Sequence, residues 1–218
     1  DFSLGAENYV SHLYKYNPST GFSLLNSFQD KSTKALLTKN GNLYLLDKNE
    51  LSINIIEIQN YEVIETIPLV FENTDFSVSN FVELNNNDFL LNGIVSSDST
   101  YDIYLAKFDL NGQVFWEQTI GGSAQESIQY VKYFEGNIYM CGQSKSYDGI
   151  FADEYGEGIE WGEETIKSNW IIKLNYNGDI LWNKLFGNSE WVTNLGSFNS
   201  INFLDNSLIV SGWIDFKW

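Results

Sequence analysis

The chain of 218 residues carries 29 acidic side chains against 12 basic ones, all lysine, for a net charge of −17, so it lacks the basic face that nonspecific nucleic-acid binding needs. Aromatic residues make up 16% of the sequence and prolines number only 2, a composition suited to strands and against disorder. Cys141 is the single cysteine, which excludes an intrachain disulfide, and no apolar run approaches the roughly 18 residues of a helical membrane span.

In chain order the sequence reads as short alternating runs punctuated by turn residues. Residues 9 to 28 hold two such runs around Asn17 to Gly21, and further runs follow across 32 to 69. The stretch from Tyr101 to Gly142 is the clearest: Tyr101 to Phe108, Gln113 to Ile120, Ser127 to Phe134 and Asn137 to Gly142. Its turns hold Asn111-Gly112, Gly121-Gly122 and Gly136-Asn137, residue types that supply positive φ at little steric cost.

Three landmarks align the copies. A Gly or Asn precedes a large apolar residue by four positions at Gly21 and Leu25, Asn60 and Ile64, Gly112 and Trp116, and Gly178 and Trp182. Lys15, Lys107 and Lys173 stand before the same turn, with Glu57 in the odd copy. A strand following a Gly/Asn turn ends on Asp47, Gly93, Gly142 and Gly212, which are 46, 49 and 70 residues apart. The long interval holds an insertion between Lys145 and Lys167, rich in acids, Gly and aromatics.

Four strands per repeat at a period in the forties is the signature of a propeller blade. The expected fold is therefore all-β, a single β-propeller domain over residues 1–218 built of four-stranded antiparallel blades. Blades are expected at about 32–69, 75–120 and 126–187. A fourth, at 195–214, would be completed by residues 9–28, so that exchange of N- and C-terminal strands closes the ring and removes its exposed edges. A larger or incomplete ring is the alternative, because Asp215 to Trp218 read as the approach to another strand. Met140 is the only methionine, and the chain is expected to come from something longer or processed.

At DIYLAKFDLNGQVFWEQTIGGS and SNWIIKLNYNGDILWNKLFGNSEW the sequence resembles the tandem propeller repeats of secreted and cell-surface proteins of Bacteroidetes. Asp102, Lys107, Asp109, Gly112, Trp116, Gly121, Gly122 and Ser123 stand at matching positions in one copy, and Trp170, Lys173, Gly178, Trp182, Lys184, Phe186 and Gly187 in another. The first two copies depart from the pattern, with Leu25 and Ile64 in place of Trp and Glu57 in place of Lys. The resemblance covers about half of the chain and specifies a blade. It implies an extracellular location, associated with the outer membrane through a lipoprotein anchor or another element outside this chain, and it implies no shared activity.

The insertion is the most site-like feature. Asp148, Asp153, Glu154, Glu157 and Glu163 alternate with Tyr147, Phe151, Tyr155 and Trp161 on a Gly-rich segment without a basic residue. Such a surface suits a protein partner, a cell-surface or outer-membrane component, or the stacking of sugar rings. Converging carboxylates also suit Ca²⁺, with Asp148, Asp153 and Glu157 as ligands, although the spacing is not that of an EF-hand loop. Solvation of an acidic loop and packing of its aromatics against the neighbouring blade are the plainer readings.

Trp116, Trp182, Lys107 and Lys173 recur once per repeat, as packing devices do. Asp109 and Asn175 are expected to shape their turns. Cys141 lies in an apolar strand and reads as a packing residue. His12 is the only histidine, so a Ser/His/Asp triad has little support and a His/Cys zinc site none. The expected function is noncatalytic protein recognition or scaffolding at a bacterial cell surface. The alternative is a carbohydrate-binding or glycan-cleaving propeller.

Overall fold

The computed structural model describes residues 10–29, 33–37, 43–47, 51–56, 62–72, 75–85, 87–97, 100–146, 148–152, 168–186, 196–205 and 207–213. Among them every regular element except one short 3₁₀ turn, Gly149–Phe151, is a β-strand. The strands pair antiparallel with their sequence neighbours, so the all-β expectation with four-stranded antiparallel sheets is met. Two compact units divide the chain, Asp1–Val70 with Leu110–Gln113 and Phe71–Asp109 with Val114–Trp218.

The first unit holds a hairpin of β1 (Val10–Asn17) and β2 (Gly21–Gln29) and a four-stranded sheet of β3 (Thr33–Leu37), β4 (Leu43–Asp47), β5 (Ser52–Ile56) and β6 (Val63–Pro68). The hairpin turns where Asn17 Oδ1 accepts the Ser19 N–H at 2.8 Å and Gly21 takes a φ of 81°. Tyr16 and Phe22 pack across the pair with ring centroids 4.9 Å apart, yet both remain exposed. In the sheet, Tyr44, Leu45 and Leu46 of the central strand β4 are all buried.

The second unit holds a sheet of β7 (Phe76–Glu83), β8 (Asp88–Ser97), β9 (Thr100–Asp109) and β10 (Val114–Ile120), and a sheet of β11 (Glu126–Phe134), β12 (Asn137–Ser144), β13 (Ser168–Asn175) and β14 (Ile180–Phe186). A two-stranded sheet of β15 (Phe198–Leu204) and β16 (Ser207–Gly212) follows. The middle sheet is covered on both faces. Leu90, Ile103, Leu105 and Ile120 pack on one side against Val131, Met140, Trp170 and Ile172. On the other side Ile201 joins Tyr139, Cys141 and Ile171, and the Phe203 ring stacks on Phe134 at 3.9 Å. Double coverage explains why β12 and β13 read as nearly continuous apolar runs instead of alternating ones. The first strands adjoin one another, with β11 packed beside both β7 and β15.

Two bulges recur. In the first strand of each sheet of the second unit one residue is left unpaired, Ser79 in β7, Gln129 in β11 and Asn199 in β15. Opposite stand Gly93, Gly142 and Gly212, where a Cβ would overlap the carbonyl oxygens of Ser77, Ser127 and Ser197. The small residue ending the second strand is therefore a steric requirement of the bulge. The pair β3 and β4 carries no such register shift, and Asp47 is tolerated at its end. The second bulge lies in β2, β6, β10 and β14, at Leu25, Ile64, Phe115 and Leu181. The apolar landmark of the sequence thus marks the bulge in two copies and the residue after it in the other two.

Gly112 and Gly136 take φ values of 79° and 78°, as expected at turns. The β11 to β12 connection is built on Glu135-Gly136, both at positive φ, and Asn137 already belongs to the strand. Gly121 and Gly122 differ from expectation, since neither lies at positive φ. Their need is space: a Cβ on Gly121 would overlap the Asp102 carboxylate, and one on Gly122 would lie 2.7 Å from Ser146 Oγ.

Gly142→Ala is expected to cost about 3 kcal/mol, because the new Cβ meets backbone on one side and the Trp170 ring on the other. Gly136→Ala meets nothing within 4 Å and is expected to cost about 1 kcal/mol from its positive φ alone. Thermal melts of the two variants check the ordering, and equal losses would contradict the bulge argument.

Candidate functional site

The densest polar cluster forms where β9 and β11 begin and β12 ends. Glu126, the first residue of β11, is only 3% exposed. Its Oε1 accepts hydrogen bonds from Ser144 Oγ at 2.8 Å and Ser146 Oγ at 2.5 Å, and its Oε2 accepts the Gly122 N–H at 3.2 Å. The Asp102 carboxyl stands in hydrogen-bonding reach of it. Burial raises the Glu126 pKa above the usual carboxylate value, the three donors oppose that rise, and the bond to Asp102 reinforces it.

The surrounding loops are stitched around this pair. Ser146 Oγ accepts the Ala124 N–H at 2.9 Å, Asp148 Oδ1 accepts the Ser123 N–H at 2.7 Å, and Ser144 Oγ accepts the Ser146 N–H at 2.9 Å. The Gly121-Gly122-Ser123 turn is thereby fixed against the start of the insertion. Beside the cluster opens a cavity of about 470 Å³, bounded by the starts of β7, β9 and β11 and the ends of β8 and β12.

Of the residues expected to make the acidic recognition face, Tyr147, Asp153, Glu154, Tyr155, Glu157, Trp161 and Glu163 lie outside the described residues. Asp148 is exposed, with its carboxylate engaged on Ser123. Phe151 is 2% exposed and packs against Trp170 at 6.1 Å between ring centroids, so the packing reading applies to this aromatic and it presents no contact surface. Of the expected calcium ligands Asp148, Asp153 and Glu157, only Asp148 is described. Among the described residues no group of three or more His, Cys, Asp or Glu is arranged to hold a metal ion.

The repeated residues take part in packing. Lys107 Nζ pairs with Asp88 at 3.0 Å and lies 3.5 Å from the Tyr176 ring centroid, while the Tyr176 hydroxyl donates to the same Asp88 carboxylate. This joins the two four-stranded sheets of the second unit. Burial, and then the bond to Asp88, hold the Tyr176 phenol above its ordinary pKa. Lys173 lies 5.3 Å from the Tyr139 ring. Trp116 packs in the core, 3.3 Å from where a Cβ on Gly178 would stand. Asn175 shapes its turn as expected, its Oδ1 accepting the N–H groups of Asn177 and Asp179. Cys141 is fully buried, its thiol pushed up to about 12 by burial, and it donates to the Phe198 carbonyl. His12 is bonded to Ser27 at 2.9 Å at an exposed position.

The buried carboxyl pair was not foreseen from the sequence. Two signals for it exist: an acid opening the strand at Glu126, directly after the double-glycine turn, and Asp102 at the start of the repeat motif that ends in that turn.

A carboxyl whose folded pKa is raised contributes stability in full below its unfolded value near 4.5 and loses it as pH rises through the folded value. Glu126→Gln can keep the two serine donors while removing the titrating group. The melting temperature of the wild type is expected to fall by a few degrees relative to this variant between pH 4 and pH 8. Parallel Tm profiles would remove the raised Glu126 pKa. No family model and no curated protein sequence matches the chain.

Proposed function

We propose that the chain is a β-propeller of the kind its repeats resemble, acting as a noncatalytic recognition or scaffold module at a bacterial cell surface. The observation that carries the reading is the succession of first strands β7, β11 and β15, side by side and each with its bulge opposite a glycine. Propeller blades present their first strands to a common axis in this way. The β1–β2 and β15–β16 pairs are each two-stranded sheets, and in the proposed four-blade ring they would join as one blade, giving both the partners that isolated hairpins need for stability.

The binding face is the acidic insertion. It leaves after β12 and returns at β13, at the sheet end that holds Glu126 and the cavity. Its first residues are fixed by Asp148 on Ser123 and by buried Phe151. The acidic composition of residues 147–165 and the net charge of −17 favour a partner with a basic protein surface. A binding reading also fits the strongly perturbed groups Cys141, Tyr104 and Tyr176, which are spent on packing and on bonds between strands and sheets.

Two experiments test the reading separately. Removal of residues 1–29 is expected to lower Tm by about 5 °C or more and to promote self-association through the exposed edge. A truncated chain that melts as the full one and stays monomeric would reject ring closure. Deletion of 153–165 is expected to leave Tm within about 2 °C while abolishing capture of basic cell-envelope proteins in a pull-down. Unchanged capture would reject the insertion as the face.

A further inference from the structure

The cavity beside Glu126 has its own chemistry. Its volume of about 470 Å³ falls within the range of small-molecule sites. Ser77, Ser79, Gln125, Ser127 and Gln143 line it with hydroxyl and amide groups that both donate and accept, with Lys145 at the rim. Ser79 is the unpaired residue of the β7 bulge and Ser77 lies two positions before it, and both line the opening. Among the described residues no side-chain hydrogen bond engages Ser77, Ser79, Gln125 or Lys145. Ile94 and the half-exposed ring of Tyr101 complete the wall with apolar surface.

These groups narrow the occupant. An apolar ligand would strip water from Ser77, Ser79 and Gln125 without replacing its hydrogen bonds. A cation has no claim on Glu126, whose oxygens already accept three hydrogen bonds from Ser144, Ser146 and Gly122. A polyanion meets one ammonium group in a molecule of net charge −17. What remains is an uncharged ring bearing many hydroxyls, which presents O–H groups to the serines and amides and a C–H face to Tyr101 and Ile94. We propose that the cavity between the starts of β7, β9 and β11 and the ends of β8 and β12 binds the terminal unit of a neutral glycan.

The assignment is independent of the insertion, because every lining residue lies outside 153–165. The full chain would be screened on a glycan array and by saturation-transfer NMR with neutral methyl glycosides at millimolar concentration. At least one neutral sugar is expected to bind, and Gln125→Ala and Lys145→Ala are each expected to weaken it about tenfold, the worth of one lost hydrogen bond. Both positions are at least partly exposed, so the variants should keep the wild-type melting temperature. Ser79→Leu, which fills the opening, should remove the signal, and deletion of 153–165 should leave it intact. Absence of any neutral-sugar signal from the folded wild type would overturn the proposal. So would binding that survives all three substitutions, binding restricted to acidic sugars, or binding lost only with the insertion.

Discussion

The architecture depends on the close approach of two backbones. At Gly93, Gly142 and Gly212 the second strand of a sheet passes so near the bulged first strand that no Cβ fits between them. The bulge raises local twist, and strongly twisted sheets pack face to face with their first strands adjacent instead of extending into one flat surface. Three successive sheets of the second unit follow this arrangement. Each contributes a buried residue two positions beyond its bulge, Phe81, Val131 and Ile201. A residue with no side chain thus fixes the geometry on which the side-chain contacts rest.

Packing of that kind leaves polar groups dry at both ends of the sheets, and the two ends meet the problem differently. At one end Lys107 is neutralised by Asp88 and roofed by Tyr176, so a cation, an anion and an aromatic face complete one another across two sheets. Removing Lys107 or Asp88 alone would leave the other charge uncompensated, which costs more than the ion pair itself contributes. At the other end no cation pairs with Glu126 among the described residues, and hydroxyl and N–H donors take its place. Burial then favours the protonated form.

Much of this was legible in the chain. Strand positions followed from alternation and turn residues, as for β12, expected over Asn137 to Gly142 and found over Asn137–Ser144. The recurring lysines were read correctly as packing residues, since a group repeated at one position serves the repeat before it serves a ligand. What escaped were features that depend on a third dimension. Gly121 and Gly122 look like any turn glycines, and only the approach of Asp102 and Ser146 reveals that their role is clearance. Phe151 looks like its neighbours in an acidic loop, and only the position of Trp170 shows that it faces inwards. Glu126 and Asp102 are 24 residues apart in an acid-rich chain, with nothing local to join them.

The same contrast bears on where specificity resides. Repeat-encoded residues occur in several copies and cannot by themselves distinguish one inter-sheet space from another. The cavity walls combine both kinds of position: Ser77 and Ser127 recur in the third copy as Ser197, whereas Ser79 fills a bulge where the other copies have Gln129 and Asn199, and Lys145 stands where the third repeat departs into its insertion. A shared scaffold of glycine, bulge and apolar core therefore holds a variable rim. In such a fold function is expected where the copies disagree, and the cavity between β8 and β12 includes such positions at Ser79 and Lys145.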